Sequence, residues 1–290
     1  MPPGAASGQQ VPGCRLRLHT GEVESSETSD APLAVHRLGD RARTSAHSVA
    51  RPPVALAHGF TQNQRCWGAF ADALSAVSDV LAVDLPGHGA STHDEVDLPH
   101  AGRLLGEVTP DHVVVGYSMG GRIGLHSALE PTTSLRGLVV IGATAGLLDA
   151  ADRVEREARD RQLADDLEAD PPGFIDRWLA LPMFSGLGSD VQFRQERLTN
   201  RIEGMAATLR HRGTGSQAPL HDRLGTVNVP VLTLAGEHDT KFRNEAHTLK
   251  DCLGDAAQVA VIGDAGHACH LEKPEQTGSA VLDWLQRRWG

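Results

Sequence analysis

The chain predicts an α/β protein built on a mostly parallel central sheet flanked by helices, and three observations predict it. Six short apolar runs recur: VALAHG (54–59), DVLAVDL (79–85), HVVVGYS (112–118), GLVVIGA (137–143), VPVLTLAGE (229–237) and QVAVIG (258–263). They are rich in Val, Leu and Ile and lack polar alternation, the pattern of strands buried on both faces. Helix-compatible stretches lie between them, 119–130 and 274–289 among them, and such alternation places helices over a parallel sheet. The chain has 290 residues, 40% of them hydrophobic, enough for one sizeable core. Aromatic residues make up only 4%, so that core is expected to be aliphatic.

Taken from the N-terminus, residues 1–30 are rich in Gly, Ser, Pro and Glu and poor in large apolar residues. That composition predicts a disordered extension ahead of one domain spanning 31–290. The strand rhythm begins near residue 53 and stops between about 149 and 225. The interrupting segment is charged and helix-prone, with Leu163 and Leu167 at helical spacing. A helical insertion between two sheet strands predicts a cap over a site at the strand ends.

The charge balance is −10, from 27 Lys and Arg against 37 Asp and Glu. Nucleic acid is therefore not an expected partner, because phosphate binding needs a basic footprint. The four cysteines, Cys14, Cys66, Cys252 and Cys269, form no CxxC pair and no disulfide framework. They are expected to be reduced thiols. No run approaches the roughly 20 apolar residues of a membrane span, and the N-terminus lacks the pattern of a signal peptide. A cytoplasmic location is expected.

The chemistry starts at G-Y-S-M-G, residues 116–120, which follows a strand run and opens a helical one. That is the setting of a nucleophile elbow in the α/β-hydrolase fold, with Ser118 lifted above the sheet at a helix N-terminus. His58-Gly59-Phe60 closes the first strong strand. The backbone N–H groups of Phe60 and Met119 would then form an oxyanion hole. A serine hydroxyl needs a histidine to take its proton. The chain has 15 histidines, so position decides. His267, in A-G-H-A after the last strand, is the expected base, with His270 a weaker candidate. Asp239, after VLTLAGE, is the expected orienting carboxylate, with Glu237 its near competitor. The order Ser, Asp, His is that of the α/β-hydrolase fold.

Seven segments carry a closer resemblance: HGFTQNQRCW (58–67), DLPGHG (84–89), GYSMGGR (116–122), DRWLALPMF (176–184), RLTN with GMAATLRHRGTGSQAPL (197–220), GEHDTKF (236–242) and AGHACHLEKPE (265–275). DLPGHG is shared by many α/β hydrolases. Together the others resemble the MenH family, the 2-succinyl-6-hydroxy-2,4-cyclohexadiene-1-carboxylate synthases of menaquinone biosynthesis. The similarity spans roughly 53–289.

The resemblance implies a lyase that eliminates pyruvate from 2-succinyl-5-enolpyruvyl-6-hydroxy-3-cyclohexene-1-carboxylate. It implies no metal or organic cofactor. Its small-molecule substrate is a polycarboxylate, which arginine forks match in bidentate fashion. The residues it offers for binding are Arg122, Arg197, Arg156 (or Arg159, less favoured), Tyr117, Trp178 and Lys241, with Gln62 and Arg65 as weaker candidates. Each also has a plainer reading: arginines in a charge-rich helix usually face solvent, and Tyr117 or Trp178 can serve packing alone. Two other functions fit the same triad residues, a carboxylesterase, lactonase or carbon–carbon-bond hydrolase, and a non-catalytic binding module. Arginines converging on the pocket favour the lyase; an apolar pocket favours the hydrolase.

Overall fold

The computed structural model describes residues 32–39 and 51–290. The expected disordered extension, 1–30, and Cys14 lie outside these residues.

Seven strands form one sheet in the order β1-β3-β2-β4-β5-β6-β7. In chain order they are β1 (Val35–Leu38), β2 (Val54–Ala57), β3 (Val80–Val83), β4 (Val113–Tyr117), β5 (Gly137–Ile141), β6 (Val231–Gly236) and β7 (Ala257–Ile262). Every neighbouring pair is parallel except β1 with β3. All residues of β2 to β6 are buried, which is why those runs read as continuously apolar.

The two edges read differently. β1, the antiparallel edge strand, alternates exposed and half-buried residues in VHRL, and too few apolar residues mark it in the sequence. β7 was expected to be buried on both faces and is not. It lies at the other edge, with Val261 43% exposed.

The pleat sends alternate residues to opposite faces and so builds two cores. On one face Val114, Leu138 and Val140 pack against Leu104 and Leu105 of α2 (Leu98–Val108), Ile123 and Leu125 of α3 (Met119–Leu129), and Leu249 of α9 (Thr240–Leu253). On the other, Val113, Val115, Val139 and Ile141 pack against Phe70 and Leu74 of α1 (Gly68–Ser75) and Trp284 and Leu285 of α11 (Pro274–Trp289). The core is aliphatic only on the first face. The second holds Trp67, Phe70 and Trp284, all essentially sealed from solvent. Few aromatics are present, but several are concentrated here. Full burial of each large side chain contributes about 1.5–3 kcal/mol.

Between β5 and β6 the chain is helical: α4 (Ala150–Ala169), α5 (Pro171–Leu179), α6 (Arg194–Arg197), α7 (Ile202–Arg212) and α8 (His221–Leu224). Asp149 caps α4 by accepting from the N–H groups of Ala151 and Asp152, and Asp170 caps α5 by accepting from Gly173. Two prolines then occupy the first turn of α5, where no backbone donor is required. Ala164, Leu167, Phe174, Ile175, Met205 and Leu209 form a third apolar cluster belonging to these helices. This helical insertion carries most of its charges on the outside and an apolar cluster within, beside the buried Asp160, Arg197 and Arg212, which accounts for its strand-free, charge-rich sequence. A short helix, α10 (Cys269–Glu272), precedes α11.

Candidate active site

Ser118 stands between β4 and α3 with φ 51° and ψ −106°, a strained backbone for a residue with a side chain. Its surroundings enforce that turn. The Ser118 N–H donates to the Ile141 carbonyl at 2.8 Å, and the Gly120 N–H donates to the His58 carbonyl at 3.1 Å. A Cβ at Gly116 would overlap the Gly120 carbonyl, and one at Gly120 would overlap the Ala57 carbonyl. The motif's glycines therefore let elbow, strand and neighbouring loop touch backbone to backbone.

The loops after β6 and β7 bring Asp239 and His267 together. Asp239 Oδ2 accepts a hydrogen bond from His267 Nδ1 at 2.6 Å, which leaves Nε2 as the basic ring nitrogen. Asp239 also caps α9, accepting from the Phe242 N–H at 3.3 Å. The Phe242 ring packs on His267 with centroids 4.5 Å apart. Glu237, the competing carboxylate, is exposed and accepts from the Asp264 N–H instead. His270 is fully buried, with its ring 4.3 Å from that of Tyr117. Burial lowers its pKa to about 3 and keeps it neutral. It is not part of the Ser118 cluster.

Ser118, Asp239 and His267 line one cavity of about 340 Å³, with Phe60, Tyr117 and Met119 beside them and Trp178 entering from α5. That volume suits a small-molecule ligand. Phe60 and Trp178 meet edge to face, 5.1 Å between centroids. The loop carrying Phe60 is fixed from behind. His58 Nδ1 donates to the Gly59 carbonyl at 2.8 Å, its Nε2 accepts from the Leu85 N–H at 3.1 Å, and the Gln62 side-chain oxygen accepts from the Gly59 N–H at 2.9 Å. Gln62 is thus a support for that loop and does not line the cavity; Arg65 is exposed and does not line it either.

The cavity is cationic. Arg122, Arg156, Arg197, Arg212 and Lys241 line it, against Asp160 and Asp239 as acids. Arg159 is exposed and outside the lining, so Arg156 is the arginine of the first cap helix that reaches the cavity. Three of these arginines are buried, and every hydrogen bond they make among the described residues goes to a neutral group. Arg122 donates to the carbonyls of Arg212 (2.8 Å) and Gly213 (3.3 Å) and to Gln217 (3.2 Å). Arg197 donates to the Gln192 carbonyl at 2.7 Å and to Thr61 Oγ1. Arg212 donates to the Pro86 carbonyl at 3.1 Å and to Thr208 at 2.7 Å. Burial lowers Arg122 and Arg212 to about 10 each and lowers Arg197 as well. All three remain charged at neutral pH, and buried charges of one sign favour an anionic occupant.

Arg212, Asp160, Thr144 and Phe242 also line the cavity, and sequence reasoning missed them. Asp160 stands four residues after Arg156, the spacing of a helical ion pair, and that signal was readable. Arg212 gave none, since its segment holds three basic residues within Arg210–Arg212.

A model of the alpha/beta hydrolase family matches residues 54–280. A putative 2-succinyl-6-hydroxy-2,4-cyclohexadiene-1-carboxylate synthase of Bacillus subtilis is 33% identical over 259 residues, 81% of this chain and 91% of that protein. The synthase of Klebsiella pneumoniae is 34% identical over 233 residues, 77% of this chain and 89% of its own. Among solved structures, MenH from S. aureus superposes with a TM-score of 0.79 at 26% identity, covering 88% of this chain and 99% of that one. A malate-bound esterase from Thermogutta terrifontis reaches 0.72 at 25% identity, covering 89% and 94%. The chain belongs to the MenH family of 2-succinyl-6-hydroxy-2,4-cyclohexadiene-1-carboxylate synthases, within the α/β hydrolases.

Proposed function

We propose that the chain is a lyase that converts 2-succinyl-5-enolpyruvyl-6-hydroxy-3-cyclohexene-1-carboxylate into 2-succinyl-6-hydroxy-2,4-cyclohexadiene-1-carboxylate and pyruvate, a step of menaquinone biosynthesis. The observation that supports this reading is the joining, in one cavity, of Ser118 and His267 with three buried arginines that hydrogen-bond to no carboxylate among the described residues. A simple ester has no use for those charges; a polycarboxylate does.

The two names define the chemistry. The ring double bond at position 3 becomes a diene at 2 and 4, so a proton leaves C2 and the enolpyruvyl oxygen leaves C5. C2 adjoins the succinyl carbonyl, and deprotonation there places charge on that carbonyl oxygen. In this reading His267 takes the Ser118 hydroxyl proton and the serine oxygen takes the C2 proton. Asp239 stabilises the imidazolium that results. The N–H groups of Phe60 and Met119 hold the enolate oxygen. Electrons then move through C2–C3 and C4–C5 as the C5–O bond breaks. The released enolpyruvate takes a proton at its methylene carbon and becomes pyruvate. Arg122, Arg156, Arg197 and Lys241 bind the carboxylates, and Tyr117 and Trp178 shape the walls. The cap, 150–224, excludes water from the enolate.

No helix among the described residues is long and apolar enough to cross a membrane. The free thiols of Cys66, Cys252 and Cys269 support a cytoplasmic setting. The test is pyruvate release, measured against a no-enzyme control (the substrate also loses pyruvate spontaneously) and against Ser118→Ala, beside p-nitrophenyl ester hydrolysis. Serine-dependent elimination with poor ester hydrolysis is expected. The reverse pattern would make the protein a serine hydrolase.

A further inference from the structure

Asp160 is 1% exposed, yet it lines a cavity whose other charged groups are mostly cations. Its two oxygens have different partners. Oδ1 accepts from Arg156 Nε at 2.8 Å, one helical turn back on α4, and Oδ2 accepts from the Gly215 N–H at 3.0 Å. Gly215 belongs to the strap that follows α7, and the same strap supplies the Gly213 and Arg212 carbonyls to Arg122. A side chain at Gly213 would overlap Asp160 Oδ2, so the strap lies directly against the carboxylate. Asp160 therefore stands between the two arginines, touching one and holding the backbone that engages the other.

This arrangement has a directional consequence. The guanidinium of Arg156 has one edge through Nε and a terminal pair, Nη1 and Nη2. Asp160 occupies the Nε, and the terminal pair has no other partner among the described residues. Arg156 lines the cavity, and 34% of its side chain is accessible. A carboxylate that reaches this terminal pair can accept two parallel N–H bonds, the bidentate geometry for which arginine is suited. An unheld arginine would spend rotamer freedom to reach that pose. Asp160 also separates like charges: Arg156 depresses the pKa of Arg122, and Asp160 opposes that effect.

We infer that Asp160 is a positioning residue for substrate: it aims the Arg156 fork at a ligand carboxylate and anchors the 213–215 strap that engages Arg122. This rests on the lyase reading above. It assigns the work of Asp160 to binding, not to proton transfer, because both of its oxygens already accept hydrogen bonds, from Arg156 and from Gly215.

The experiment uses the full chain and four proteins: wild type, Asp160→Asn, Arg156→Gln and the double variant. Steady-state pyruvate release gives KM and kcat, and a neutral fluorophosphonate probe reports the reactivity of Ser118. Asp160→Asn keeps the shape and removes the charge. It is expected to raise KM about 10- to 100-fold, the scale of one lost charge-assisted contact. kcat should change by less than about 3-fold, and probe labelling should match wild type. Arg156→Gln should do the same, and the double variant should be little worse than Arg156→Gln alone, since the two residues act as a unit. An unchanged KM in folded Asp160→Asn would overturn the inference. So would KM effects that multiply in the double variant. If Asp160→Asn fails to fold, Asp160→Ser, which is smaller and removes the charge, takes its place, and an unchanged KM in that folded variant would overturn the inference. A wild-type protein that fails to accelerate elimination while still labelling at Ser118 would refute the lyase reading and not the Asp160–Arg156 geometry.

Discussion

Asp239 joins two elements through one carboxylate: its Oδ2 meets His267 Nδ1 at 2.6 Å and its Oδ1 meets the Phe242 N–H at 3.3 Å. The helix cap and the histidine's orienter are one side chain, so the start of α9 fixes where the imidazole points. Phe242 closes the arrangement by covering the His267 ring.

Asp239→Asn tests that relationship. The amide keeps the shape but does not stabilise a charged imidazole, and it permits the wrong tautomer. A loss in kcat of about 10⁴-fold is expected, the size seen when a triad carboxylate is made neutral. Ser118→Ala and His267→Ala should reduce pyruvate release to the spontaneous rate, with circular dichroism unchanged. Full turnover in any of the three folded variants would remove the triad assignment.

Arg122→Ala should act on binding and on stability together. The side chain spans from α3 to the Arg212 and Gly213 carbonyls, so its loss removes a cation of the cavity and a clamp. Breaking hydrogen bonds to a charged group costs about 1.5–3 kcal/mol. KM should rise, kcat should fall and the melting temperature should drop. Unchanged kcat/KM would remove Arg122 from the site, whatever the change in melting.

What the sequence revealed follows the strength of local constraint. β2 to β6 were legible because a strand buried on both faces has no freedom to be polar. Ser118, Asp239 and His267 were legible because each sits at a strand end, where few residues are available. β1 was not legible, since an edge strand with one wet face carries a weak pattern. Among cap arginines, chemistry alone did not separate Arg156 from Arg159; helix phase did, turning Arg156 toward the cavity and Arg159 toward solvent. Arg212 was hidden because its partners, Pro86 and Thr208, include one more than a hundred residues away in the chain.

Stability should fall in acid below neutrality. Burial lowers His58 and His126 to about 4, lowers His270 to about 3, and holds His88 well below its ordinary value. The folded chain keeps these imidazoles neutral, while the unfolded chain protonates them near pH 6.5. Between about pH 6.5 and 4 the unfolded state therefore binds more protons, and stability rises with pH across that window. Above pH 7 the effect is fully present and flat. Four such groups give a slope of at most about 5 kcal/mol per pH unit. Urea midpoints from pH 8 to 4.5 measure it, and His126→Gln should soften the slope by about a quarter. A midpoint that holds constant from pH 7 to 5 would contradict this account.

Two glycine substitutions should separate close approach from spare freedom. At Gly120 a Cβ would overlap the Ala57 carbonyl, part of the central strand β2, and it would also crowd the His58 carbonyl. Neither group can retreat without disturbing the sheet or the His58–Phe60 loop. Gly120→Ala should therefore destabilise by more than about 3 kcal/mol and abolish labelling of Ser118 by a fluorophosphonate, because overpacking against rigid backbone has no relaxed solution. Gly225 sits just past α8 with φ −61° and ψ −13°, an ordinary right-handed conformation. A Cβ there meets only the Cys252 carbonyl at 3.7 Å, a normal contact. Gly225→Ala should leave labelling intact and stabilise by about 0.4–1 kcal/mol, since alanine narrows the unfolded ensemble without straining the fold. Denaturant melts of the pair read both effects. If Gly120→Ala were tolerated as well as Gly225→Ala, the tight joint between the Ser118 turn, β2 and the His58–Phe60 loop would not be what holds Ser118 in its strained turn.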